Sequence, residues 1–325
     1  MTESISWGAF VPQGWKLEYA GLDAAAAWAR SVEIAQRAEA LGYDHLWVYD
    51  HVETVPRREP THVFEAFTTL AALSQRTERI RLGQMVTCSS YRNVGLLAKE
   101  LACIDVFSGG RLILGLGAGW YGREYRAYGY DYLPDRERLR VLDEYLQVIP
   151  RLWSEETVTF AGTYVHLDGA YCDPKPLQAR PEIWVGGGGE QVTLRIAARH
   201  ADKVNWQCDL ASFRRKDALL RDYCAEIGRT DRITRTWAPD CYVFDTQAEV
   251  DAWLAQTGGH LWGEDRMSPA DYVAQAMVGT VDQVVETAQA YVDAGAREIV
   301  LWFRDYPSTA SLDRVMAEVA PKVSA

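Results

Sequence analysis

Pro181-Glu182-Ile183-Trp184-Val185-Gly186-Gly187-Gly188-Gly189-Glu190-Gln191-Val192-Thr193-Leu194-Arg195-Ile196 opens as a short apolar strand, passes four glycines and enters an amphipathic helix that runs to Ala201. Val192, Ile196 and His200 form one stripe of that helix, with Leu194, Ala197, Ala198 and Ala201 beside it, so a packed face is expected. Four glycines remove every Cβ from the turn, letting the backbone take positive φ and lie against a ligand. The free N–H groups and positive dipole end of the following helix suit that corner to a phosphate. A tight strand-to-helix turn without a ligand fits the same residues, and Glu190 complements the dipole by itself.

The strand-then-helix unit recurs on both sides of this turn. Strands are expected at residues 5–11, 44–49, 80–87, 111–116, 183–185, 203–206, 235–244 and 298–303. Helices are expected at 23–41, 64–76, 93–107, 135–153, 211–227, 247–256, 281–293 and 308–319. Eight alternations favour a closed parallel sheet, an α/β (β/α)8 TIM barrel with insertions, over an open one. Two stretches break the rhythm: a hairpin insertion near residues 155–180, centred on Gly162-Thr163, and a Gly- and aromatic-rich lid near 257–280. One domain spanning 1–325 accommodates them. The C-terminal strand ends then gather Asp50-His51, the segment 86–91, Gly117 to Gly122, the glycine run, 205–208 and Arg304-Asp305 around one pocket.

Composition narrows the function. Of 325 residues, 48% are hydrophobic and 24% charged, ordinary for a globular chain with a sizeable core. A net charge of -11 argues against nucleic acid or an anionic membrane as partner, since both require basic surface. No apolar run approaches the roughly 20 residues of a membrane span, and Met1-Thr2-Glu3-Ser4 is not a secretory leader, so a cytoplasmic location is expected. The six cysteines and six histidines show no metal or redox spacing.

Several segments in order resemble the luciferase-like monooxygenase superfamily of flavin-dependent oxidoreductases. They are Leu46-Trp47-Val48-Tyr49-Asp50-His51, Ile80-Arg81-Leu82-Gly83, Gly109-Gly110-Arg111-Leu112-Ile113-Leu114-Gly115-Leu116-Gly117-Ala118-Gly119-Trp120, the hairpin through Gly162, Pro174-Lys175-Pro176, Ile183-Trp184-Val185-Gly186-Gly187 and Gly279-Thr280-Val281-Asp282. The resemblance spans nearly the whole chain, and the Asp-His strand end with the Gly-Ala-Gly-Trp turn is closer to the branch that uses the deazaflavin coenzyme F420. It implies an F420-dependent oxidoreductase moving a hydride between cofactor and a small organic substrate, as a homodimer. An FMN-dependent monooxygenase is the alternative, and a non-catalytic flavin-binding barrel a third reading.

Carried over residue by residue, the resemblance places Asp50 and His51 near the redox ring, with His51 as proton donor or acceptor. Met85 and Val86 match a third-strand bulge, often a non-proline cis peptide, behind the ring, with Thr87 next to them. Gly117, Ala118, Gly119 and Trp120 lie along the ring or ribityl chain, and Gly187, Gly188 and Gly189 cradle the phosphate. Phe10, at the end of the first strand, and Trp206 are aromatic candidates for the pocket wall, Phe10 being counted with the cofactor. The chain departs from the family at Trp120, where many F420 enzymes carry a carboxylate, and at Arg123, where an Asn follows; an acid borrowed from the sugar-phosphate dehydrogenases is therefore in doubt.

From the residues alone, Asp50 beside His51 is suited to tune an imidazole for proton transfer, although such a pair also serves as a plain cap. Gly117-Ala118-Gly119-Trp120-Tyr121-Gly122 formally fits a dinucleotide fingerprint, but a Tyr-rich loop is expected before the next helix, which disfavours a Rossmann reading. Arg136, Arg138 and Arg140 read as a solvated helix face, or alternatively a clamp for a polyglutamate tail. Arg304, past the last strand, is placed for an anionic group unless Asp305 pairs with it.

Overall fold

The computed structural model describes residues 5–55, 57–257 and 268–325. Eight parallel strands close on themselves: β1 (Ser6–Phe10), β2 (His45–Val48), β3 (Arg81–Gln84), β4 (Leu112–Gly117), β5 (Glu182–Gly186), β6 (Lys203–Trp206), β7 (Thr234–Trp237) and β8 (Ala296–Phe303). Closure is set by register, with Ala9 opposite both Leu46 of β2 and Leu301 of β8. The fold is the (β/α)8 barrel expected from the strand rhythm.

Local chemistry sets the helix limits. Asp23 accepts the Ala26 amide to start Ala24–Leu41, and Gly42, at φ 90°, closes it in the left-handed region. Asn93 caps Val94–Ser108 in the same way. Inside the barrel, Trp47, Trp184, Ile113, Val300 and Trp302 pack into a small apolar layer, with Trp47 and Trp184 rings 4.5 Å apart. Beneath it, at the N-terminal end of the strands, buried and half-buried charged side chains plug the barrel. Trp47 Nε1 donates to His45 Nδ1 at 2.6 Å, so His45 Nε2–H donates to Glu298 at 3.1 Å. Lys203 bridges Glu298 and Glu182, and Arg81 completes the ring on Glu182 at 3.0 Å. The barrel floor is thus sealed, and the opposite end is left for a site.

The insertions differ in part from the sequence reading. Val158–Ala161 and His166–Ala170 form the expected antiparallel hairpin. The strand expected over 235–244 is two strands, broken at Pro239: β7 and Asp240–Phe244. A proline donates no ladder hydrogen bond, so the second piece leaves the barrel path. It pairs with Met277–Thr280, so the end of the expected lid is a parallel strand. Within that lid Pro269–Val273 is helical, while residues 258–267, with His260 and Trp262, lie outside the described residues. The Tyr-rich loop also holds a helix, Gly122–Tyr128. Among the described residues no helix is long and apolar enough to cross a membrane.

Candidate active site

The strand ends enclose a cavity of about 560 Å³. Tyr49, Asp50 and His51 enter it from β2, Met85, Val86 and Cys88 from beyond β3, and Gly117 to Tyr121 from β4. The glycine run and Thr193 follow β5, while Asn205 and Gln207 come from β6. Trp15 covers one side and Arg138 with Leu139 another. The Met85–Val86 peptide is cis. Three glycines make room for this bulge: a Cβ on Gly117 would lie 2.6 Å from Val86 Cγ2, one on Gly186 2.6 Å from Val86 Cγ1, and one on Gly115 1.9 Å from the Gln84 carbonyl oxygen.

His51 is held from three directions. Its Nδ1 meets Glu124 Oε2 at 2.7 Å, and its ring lies flat against Trp15, with centroids 4.1 Å apart and planes 1° from parallel. Trp120 and Tyr121 approach edge-on at 5.9 and 6.0 Å. Glu124 is fully buried at the start of the short helix, where Tyr91 Oη donates at 3.0 Å and the Val52 and Glu53 amides at 2.8 and 3.2 Å. Burial works against the Glu124 charge, but the hydrogen bonds from His51 and the two amides outweigh it and hold the carboxyl below its ordinary value. With Nδ1 committed to that carboxylate, Nε2 is the nitrogen left to exchange a proton in the cavity.

This corrects the pairing read from the sequence. Asp50 is not the partner of His51: it accepts the Cys88 amide at 2.9 Å and a two-pronged contact from Arg92 at 2.7 and 2.9 Å. Both residues lie past the end of β2 and line the cavity, and their side chains are drawn to different partners, Arg92 and Glu124. Cys88 lies against Tyr125 Oη, and burial pushes its thiol up to about 12, so it is a neutral group in the wall. Phe10 is stacked beneath Tyr49, with centroids 4.2 Å apart, and does not reach the cavity surface. Thr87 is buried beside Gln84, also away from it. Trp206 faces the outer helix through Phe213, because strand alternation turns Asn205 inward in its place.

The glycine turn is a cradle. Gly187 stands at φ 133°, and a Cβ on Gly189 would lie 2.7 Å from Thr193 Oγ1, at the start of the helix Thr193–His200. A Cβ on Gly188 would lie 3.5 Å from Lys216 Nζ. Lys216 projects from Leu210–Glu226 and is 7% exposed, and among the described residues no carboxylate reaches it within ion-pair distance. Glu190 is drawn off by Arg215 at 2.8 Å. Val192, expected on the packed face, is 48% exposed.

Of the three arginines expected on a solvated face, Arg138 is buried, donating to the Gly119 carbonyl at 3.3 Å and to Asp135 at 2.8 Å. Arg304 is not free for an anion: it and Lys16 flank Asp240 at 3.7 and 3.6 Å, while Asp305 accepts the Ser311 amide. The short helix after Gly122 does follow the Gly117 turn, against expectation, but the closed barrel excludes the doubly wound fold that a dinucleotide fingerprint requires. Among the described residues no cluster of His, Cys, Asp and Glu is arranged to hold a metal.

Glu124 makes the site acid-sensitive. A carboxyl lowered in the folded state contributes stability above its unfolded value, near 4.3, and loses it as pH falls through the lower folded value. The melting-temperature gap between the wild type and Glu124→Gln should therefore narrow from pH 6 towards pH 3. A gap constant across that range in thermal melts contradicts the assignment.

Comparison with known proteins adds context to this geometry. The model of the family described as luciferase-like monooxygenase matches residues 12–298. An F420-dependent glucose-6-phosphate dehydrogenase of Gordonia bronchialis is 34% identical over 324 residues, covering 90% of this chain and 92% of the relative. Among solved structures, an F420-dependent secondary alcohol dehydrogenase in complex with an F420-acetone adduct superposes with a TM-score of 0.82 at 19% identity, covering 98% of this chain and 99% of that one. The EDTA monooxygenase of a Chelativorans species gives 0.82 at 17%, covering 98% and 93%. At these identities the two structures establish likeness of fold.

Proposed function

Because the chain belongs to the luciferase-like monooxygenase family, we propose that it is a coenzyme F420-dependent oxidoreductase acting on a small organic substrate. The observation that carries this reading is the pairing, in one cavity, of a phosphate-shaped cradle with an imidazole whose free nitrogen faces the same space. The curated relative of Gordonia bronchialis, named for F420, supports it.

The cradle fits the group. A side chain on Gly189 would fill the space before Thr193, and the buried Lys216 ammonium stands by Gly188 at the positive end of a helix. Gly187, Gly188 and Gly189 with Thr193 and Lys216 would hold the phosphate. Met85 and Val86 would back the ring, and Gly117, Ala118, Gly119 and Trp120 would flank the ring and ribityl chain. Bound F420 supplies the two-electron hydride chemistry. His51 Nε2 takes or gives the proton of the substrate oxygen, and the Glu124 carboxylate stabilises the imidazolium formed when it takes one. Trp15 keeps the ring from turning, and Tyr91 with two amides keeps Glu124 aimed. Asp50, locked to Arg92, positions the strand end.

Titration with F420 and separately with FMN, each oxidised and reduced, tests the reading by fluorescence or absorbance. Tight F420 binding with little response to FMN is expected; preference for reduced FMN replaces it with an FMN monooxygenase, and binding of neither with a non-catalytic barrel. Gly188→Asp adds bulk and negative charge beside Lys216, and Lys216→Met removes a charged partner. Each should weaken F420 binding by about tenfold or more, and unchanged affinity in both overturns the phosphate placement.

For a homodimer, the individually exposed Leu96 and Phe107 on Val94–Ser108 and Tyr171 and Leu177 after the hairpin are the proposed contact residues. Light scattering should return the mass of two chains, and Leu177→Asp should shift it towards one.

A further inference from the structure

Resting on the F420 reading, we propose that Asn205 fixes the deazaflavin ring in the cavity: its side-chain carbonyl oxygen, Oδ1, accepts the imide N–H at the pyrimidine edge of the ring.

A hydrogen-bond conflict with one resolution carries this. Asn205 on β6 stands opposite Gly186 of β5 on one side and Thr236 of β7 on the other. Thr236 is fully buried, and its Oγ1 lies 2.9 Å from the Val204 carbonyl oxygen and 2.8 Å from one end of the Asn205 carboxamide. A hydroxyl has one proton to donate and lone pairs with which to accept. The Val204 carbonyl can only accept, so that proton goes to it. An amide oxygen 2.8 Å away on the other side would then face Oγ1 with no proton between them. The carboxamide end beside Thr236 is therefore Nδ2, which donates to Oγ1, since the partners of an amide and not its shape tell nitrogen from oxygen. Oδ1 is the end turned away from Thr236. Asn205 lines the cavity and Thr236 stands behind its wall, so the free carbonyl is offered to a bound molecule.

Position decides which molecule. A Cβ on Gly186 would lie 2.6 Å from Val86 Cγ1, so Asn205, Gly186 and Val86 are neighbours on the surface that backs the ring. His51, to which the substrate oxygen belongs, follows β2, four strands away and so across the mouth of the closed barrel. An acceptor on the β6 side thus meets the ring. The oxidised ring carries one N–H, on the nitrogen between its two carbonyls, and deazaflavin and flavin share it.

Fluorescence titration with oxidised F420 and with its N3-methyl derivative, on the wild type, Asn205→Ala and Thr236→Val, tests this as a cycle. Methylation removes the donated proton and leaves Oδ1 unsatisfied, so it should weaken wild-type binding about tenfold. Asn205→Ala should weaken F420 by a similar factor and bring the two ligands to within about twofold of each other. Thr236→Val keeps the side-chain volume and removes the hydroxyl that orients the amide, so it should cost about threefold in F420 affinity and shrink the methylation penalty. A methylation penalty of equal size in the wild type and Asn205→Ala overturns the proposal, as does unchanged F420 affinity in Asn205→Ala. If F420 does not bind, the same cycle with FMN and N3-methyl FMN separates the two claims. Coupling to Asn205 there upholds the assignment while the cofactor reading fails, and its absence, or binding of neither ring, overturns both.

Discussion

His51→Asn should lower the single-turnover rate of hydride transfer by about 10²- to 10⁴-fold, the usual worth of a positioned acid or base, while F420 affinity changes less than about fivefold. Asparagine retains a hydrogen-bonding side chain but neither takes up nor releases a proton near neutral pH, so the loss isolates proton transfer. Glu124→Gln should act through His51. The amide is nearly isosteric and preserves contact with the Val52 and Glu53 amides, yet it no longer compensates a protonated imidazole. Its rate should fall by about tenfold or more, and the pH–rate profile should move towards acid, a readout that a purely structural role would not shift. Asp50→Asn, by contrast, breaks the Arg92 contact and should appear chiefly as lowered stability. Stopped-flow F420 absorbance decides between these outcomes. If His51→Asn turns over at the wild-type rate, His51 is not the proton carrier; if Asp50→Asn alone carries the rate loss, the partner has been misassigned.

The features legible in the sequence were local ones. The strand–glycine–helix corner, the repeated strand rhythm and the Asp-His strand end each lie within one short window, where period and breakers report directly on backbone shape. What escaped was long-range or directional. Glu124 stands 73 residues from His51, inside a helix that Tyr-rich composition disguised as loop. Trp15 follows the first strand without a motif, and Lys216 lies one helix beyond the turn it serves. Two misreadings came from neglecting direction. Asp50 and His51 are adjacent past the end of β2, yet each side chain is held by its own distant partner, Arg92 and Glu124. Arg136, Arg138 and Arg140 are spaced by two, which on a helix puts them on different faces, so Arg138 is buried while its neighbours are exposed. Trp206 was likewise turned outward by strand alternation, leaving the shorter Asn205 at the cavity.

Gly115→Ala should prevent the barrel from closing normally, with a cost of about 3 kcal/mol or more, the upper range for overpacking. The added Cβ would stand 1.9 Å from the Gln84 carbonyl oxygen and 3.1 Å from its carbon, so the obstacle is backbone on the neighbouring strand and cannot rotate away. For a chain of 325 residues, with an unfolding entropy of about 0.7 kcal/mol/K, that corresponds to a fall in melting temperature of roughly 4–5 °C, or to loss of soluble protein. Gly117→Ala meets a different obstacle, the Val86 Cγ2 methyl at 2.6 Å, and should cost less. The distinction is testable by rescue. Val86→Ala removes that methyl, so the Val86→Ala/Gly117→Ala pair should melt higher than the sum of its single losses, whereas Val86→Ala should leave the Gly115→Ala defect nearly unchanged. Equal rescue of both would mean that the strand, not the Gln84 carbonyl, gives way. Because Val86 also lines the cavity, the cycle must be read in melting temperature: Val86→Ala by itself removes surface behind the proposed ring and should weaken F420 binding even where stability is restored.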